Sequence, residues 1–152
     1  MGKATYKWDE TTGTATCRIP YNHMEFIGTA QCHPEDEDFK SELIGSEIAY
    51  SRACIKVLQA MKMERRAQLH AFKELYGSIQ PSPKFNPDSF EAKMMRKKMD
   101  EISIDIDALK ECIECVREDI RNSIDVAENF YQKIRKNRKQ REEALRLLKE
   151  DD

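Results

Sequence analysis

From Met95 to Ile134 an apolar position recurs at alternating spacings of four and three: Met95, Met99, Ile102, Ile106, Leu109, Ile113, Val116 and Ile120, then Ser123, Ala127, Phe130 and Ile134. A seven-residue repeat held for about six heptads predicts a long helix whose seam is pressed against another helix in a left-handed supercoil. Polar Asn137 and Arg141 take the next two positions and end the seam. Between Asp88 and Asp152 there is neither Gly nor Pro, and an unbroken helix of that length would reach about 95 Å. Such a helix must pack along a neighbour or project. The mixture of Ile, Leu, Met, Val and Ala in the seam fixes no strand number, so pairing within the chain and a homodimer through the coiled coil both stay open. Ser123 and Ala127 narrow the seam at a point that reads as tolerated irregularity.

A partner for the seam lies upstream. Between Gly45–Ser46 and Gly77, the residues Ile48, Ile55, Leu58, Leu69, Phe72 and Tyr76 fall on one stripe flanked by alanines. Ser46 is the expected N-cap and Gly77 the expected stop of a first long helix over 46–77. The segment SIQPSPKFNPD, with three prolines, reads as a linker over 78–87. Asn86 or Asp88 then caps a second helix over 88–152, with Pro87 tolerated in its first turn. In one arrangement 46–76 folds back on 88–120 and the rest projects or dimerises; in the other, Arg121–Asn122–Ser123 breaks the long helix. The first is preferred, because helix breaks are usually marked by Gly or Pro.

Residues 1–45 have a different periodicity. Tyr6 and Trp8 share a parity, DETTG supplies a turn, and Ala15, Cys17 and Ile19 alternate again, which is the pattern of a hairpin. A third strand is expected in MEFIGTAQC, with Phe26, Gly28, Ala30 and Cys32 on one face and Gly28 marking a bulge or close packing. So small a sheet must lay its apolar face on a helix. The expected fold class is α+β and mostly α: a small antiparallel three-stranded sheet packed on a helix, followed by a long helical hairpin or coiled-coil arm.

Composition agrees with narrow cores and long solvated faces, since charged residues make up 36% of the chain and apolar ones only 39%. The formal charge of −2 is unevenly spread. Residues 1–45 carry four Lys/Arg against eight Asp/Glu, residues 46–80 six against three, and residues 81–152 sixteen against seventeen. An acidic head and basic helical patches follow. No apolar run approaches the length needed to cross a bilayer and no basic start precedes one, so a soluble cytoplasmic protein without membrane contact is expected. Five cysteines, an odd number, read as reduced thiols rather than a secreted disulfide framework.

Little in the chain suggests catalysis. There is no Gly-rich phosphate loop, no G-x-S-x-G and no H-E-x-x-H, and neither His23 nor His70 has a nucleophile pattern beside it. Cys112 and Cys115 form a C-x-x-C inside the helix with no second pair at zinc spacing, and Cys17, Cys32 and His33 fall one ligand short of a site. No enzyme, metal or cofactor is expected. Two surfaces point to binding instead. Trp8, Tyr21 and Phe26, with the acidic run Glu35, Asp36, Glu37 and Asp38, are candidates for meeting a protein partner. Lys133, Arg135, Lys136, Arg138, Lys139 and Arg141 put six cations into one stretch of helix, a pattern suited to phosphate contacts and nucleic acid; MRKK at 95–98 is a smaller cluster.

The run GTAQCHPEDEDFKSELIGSEIAYSRACIKVL resembles small uncharacterised bacterial domains with a β-β-β-α unit like the second half of a double-stranded-RNA-binding domain. Gly28–Thr29–Ala30, Pro34 with its acidic loop, Ile44–Gly45, Ala49 and Arg52–Ala53 carry the likeness. The acidic loop before Arg52 and Lys56 departs from that domain's basic helix start. The whole chain also looks like accessory proteins of Gram-positive phages and prophages. That resemblance implies a non-enzymatic protein that binds a host or phage protein complex, as an inhibitor of an antiviral defence system for example. Alternatives are a nucleic-acid-binding accessory of replication or recombination and a structural assembly scaffold.

Overall fold

The computed structural model describes residues 2–32 and 41–150. Its elements are β1 (Thr5–Asp9), β2 (Thr14–Tyr21), β3 (Met24–Gln31), α1 (Glu42–Ile79) and α2 (Phe90–Glu150). The fold is thus a three-stranded antiparallel sheet followed by two long helices, α+β in class and mostly helical. Among the described residues no helix is long and apolar enough to cross a membrane. The chain divides into two compact units, Met1–Ala53 with Glu118–Asp152, and Cys54–Arg117.

In the first unit the strands lie in the order β1-β2-β3. Asn22 and His23 both have positive φ, 49° and 63°, and join β2 to β3 through a two-residue turn whose twist matches that of the flanking strands. Opposed residues share a face, so the register Tyr6↔Cys17↔Gly28 and Trp8↔Ala15↔Ala30, with Ile19↔Phe26, gathers the expected alternating residues on one side. Ala15, Cys17, Ile19 and Ala30 are buried there.

What lets a helix lie on that face is the lack of side chains at the contact. A Cβ at Gly28 would run into the carbonyl oxygen of Ala49 and the amide nitrogen of Ala53, and one at Gly45 would come within 3.2 Å of Ala15 Cβ. Ala49 and Ala53 are fully buried. Gly28 therefore marks close packing rather than a bulge, and the β2–β3 ladder runs through it unbroken.

The helix ends differ from expectation. Ser41, not Ser46, caps α1: its Oγ accepts from the Ile44 amide at 3.2 Å, and its carbonyl accepts from Gly45 at 3.0 Å. Gly45–Ser46 lies within the helix because Gly45 is the residue that fits against the sheet. Gly77 does not stop α1, which runs on to Ile79. Neither Asn86 nor Asp88 caps α2; Ser89 does, with Oγ accepting from Ala92 at 3.2 Å, while Asn86 Oδ1 accepts from Asp88 in the preceding turn. The helix α2 continues through Arg121–Asn122–Ser123 without a break.

In the second unit the two helix segments run antiparallel. Arg65 pairs with Asp105 at 3.8 Å, and eleven residues further along α1 the Tyr76 hydroxyl accepts from Arg96, nine residues back along α2. Val57, Ala92, Ile102, Ile106 and Ile113 are buried here. The seam of α2 is thus at least partly occupied inside one chain. At the hairpin tip Arg96 also donates to the Pro87 carbonyl at 2.7 Å, and the Tyr76 and Phe85 rings meet edge to face, their centroids 5.7 Å apart.

Candidate interaction surface

The first unit exposes one edge of its sheet in a particular setting. β1 is an outer strand, so one row of its backbone groups faces away from β2. Alongside it, Leu43, Ser46, Glu47 and Tyr50 recur at helical spacing on α1 and, with Tyr6 and Glu42, line an open groove. Three of these residues are large and exposed: Leu43 at 72%, Tyr6 at 56% and Tyr50 at 38%. Glu42 and Glu47 make no ion pair among the described residues and give the groove a negative rim. The opposite edge, β3, is partly closed: Arg52 donates to the Thr29 carbonyl at 2.6 Å.

On the other side of α1, still within the first unit, a cavity of about 190 Å³ is lined by Trp8, Ala30, Ile44, Ile48, Ile124 and Tyr131, among others. Tyr131 is 8% exposed. Burial, and to a lesser extent the neighbouring Cys32 thiol, raise its hydroxyl above the usual tyrosine pKa of 10.0.

The basic stretch of α2 belongs to the same unit. Ile134 and Arg135 are half-buried, whereas Lys133 and every residue from Lys136 to Glu150 are exposed. Lys133, Lys136, Lys139 and Arg141 make no ion pair among the described residues. Upstream arginines differ: Arg117 and Arg121 each hold a glutamate three residues back at 2.7 Å.

No protein-family model matches the chain, and no curated protein or solved structure matches it either.

Of the residues chosen from sequence for partner binding, Trp8 is half-buried and lines the cavity. Tyr21 and Phe26 are half-buried against each other, with ring centroids 6.3 Å apart. Glu35, Asp36, Glu37 and Asp38 lie outside the described residues. Among the seam residues, Ile102, Ile106 and Ile113 are buried and Met95, Met99, Leu109, Val116, Ile120 and Ile134 half-buried. Phe130 is 56% exposed while its neighbour Tyr131 is buried, which follows from the drift of about 20° per heptad between 3.6 and 3.5 residues per turn.

Cys17 faces Gly28 across the ladder rather than Cys32, and all five cysteines are free thiols. Among the described residues no group of three or more His, Cys, Asp or Glu is placed to hold a metal. The groove residues Leu43, Glu47 and Tyr50 escaped the sequence reading because Gly45–Ser46 looked like a helix start. Extending the helix back to Ser41 aligns them.

Proposed function

We propose that this protein is a non-enzymatic accessory protein of the phage type, whose work is to hold a host or phage protein complex through the β1 edge of its head. The observation that carries this reading is the exposed apolar groove of Leu43, Tyr6 and Tyr50 beside an open strand edge. Small folded proteins seldom leave such a patch beside an outer strand unless something covers it. The resemblance to phage accessory proteins gives the partner its setting, and inhibition of an antiviral defence complex is one consequence of occupying such a surface. The test is purification of tagged wild-type and Leu43→Asp chains from nuclease-treated bacterial lysate. Leu43 is exposed in the first turn of α1, where an acidic residue suits the helix, so the variant keeps its fold. A near-stoichiometric protein retained by the wild type and lost from the variant supports the reading. Equal retention by both overturns it.

A second reading is favoured by four cations of α2 that make no ion pair among the described residues. Lys133, Lys136, Lys139 and Arg141, on a helix exposed all round from residue 136, suit a phosphate backbone and would give strongly salt-dependent binding. In this reading Lys136→Glu with Lys139→Glu abolishes binding to DNA and RNA while helicity is unchanged. Unaltered affinity would rule it out.

A further inference from the structure

The groove also constrains the chemistry of what fills it, and the following rests on the reading of the β1 edge as the partner site. We infer that the occupant is an extended segment of a partner protein that adds to β1 as a fourth strand, with apolar residues and lysine or arginine at the positions facing the groove. Three features lead to this. First, β1 ends the sheet, and an added strand satisfies its outer backbone groups whatever the partner's sequence. Second, side chains of an added strand alternate between the two faces, so every second one enters the groove over Tyr6, Leu43 and Tyr50. Third, the rim carries Glu42 and Glu47, and among the described residues neither has an ion pair and no lysine or arginine lines the groove.

A lysine or arginine lays its aliphatic stem on Leu43 and Tyr6 and carries its charge to a rim carboxylate. The same charges argue against a second copy of this chain as the occupant. Edge-to-edge pairing of two β1 strands would bring Glu42 and Glu47 of both copies to one groove, where like charges repel.

The experiment uses the full chain and two end-capped fluorescent peptides of eight residues. One is valine-threonine-lysine-threonine twice over; the other has glutamate in place of lysine. The expected result is at least tenfold tighter binding of the lysine peptide at low ionic strength, weakened by salt. Backbone amides of Thr5–Asp9 exchange more slowly when it is bound. Leu43→Asp weakens it tenfold or more, and Glu42→Lys with Glu47→Lys reverses the preference between the peptides. Equal affinities, no measurable binding at millimolar peptide, or protection away from β1 overturns the inference. So does a concentration-dependent dimer that Leu43→Asp dissociates, which would make a second copy the occupant. Failure of the peptides while a lysate partner is still lost from Leu43→Asp would overturn the strand chemistry alone, and retention of that partner by the variant would overturn the site itself.

Discussion

The two units of this chain bury their residues by opposite means. In Met1–Ala53 with Glu118–Asp152, the helix reaches the sheet because side chains are small or missing: Gly28 and Gly45 against Ala15, Ala49 and Ala53. In Cys54–Arg117 the antiparallel helix segments are held by large aliphatic side chains, with Ile102 and Val57 at 1% exposure. The difference shows that one chain can fail in two ways. The head is sensitive to added volume and the helical pair to removed volume.

The sharpest way to break this comparison is to shrink one side and enlarge the other. Ile102→Ala should cost about 4 kcal/mol, from lost transfer energy plus a cavity, read by urea unfolding. Gly28→Ala adds a single methyl, yet should cost about 3 kcal/mol, because the atoms it meets are backbone of Ala49 and Ala53 and cannot turn aside. If Gly28→Ala were neutral, the close approach of α1 to the sheet would be wrong. Loss of either cap, Ser41→Ala at the head or Ser89→Ala at the hairpin, should cost about 1 kcal/mol, seen as a drop in the urea midpoint with unchanged slope.

Alkaline pH should distinguish the head more gently. The folded Tyr131 hydroxyl has a raised pKa, chiefly through burial. Its contribution is therefore fully present below the unfolded value of about 10 and is lost as pH rises through the higher folded value. Tyr131→Phe should flatten the loss of stability above pH 10, while acid and neutral stability change little.

Much of the fold was legible from periodicity. The alternation of Ala15, Cys17 and Ile19, the glycine at 28 and the spacing of Ile102, Ile106 and Ile113 each correspond to a buried face. The helix ends were less legible, for a physical reason. Glycine costs about 1 kcal/mol inside a helix relative to alanine, so Gly45 and Gly77 read as boundaries. Tertiary packing overrides that cost at Gly45, where any larger residue would meet the sheet. Gly77, with open space around it, is carried along by a helix that ends two residues later. The groove was hidden by the same misplacement. Trp8 and Phe26 were singled out because aromatic residues favour interfaces, and their register places both, half-buried, on the helix-facing side of the sheet.

The last fifteen residues of α2, Lys136 to Glu150, are exposed throughout, and a helix with no buried face depends chiefly on its own turns. Isolated helices of about 12 to 15 residues are marginal in water. On warming, this segment should lose ellipticity gradually and without a midpoint, ahead of the cooperative melting of the cores. One chain would then give two thermal signatures, a sloping baseline and a step, and truncation after Arg135 would remove the slope and leave the step.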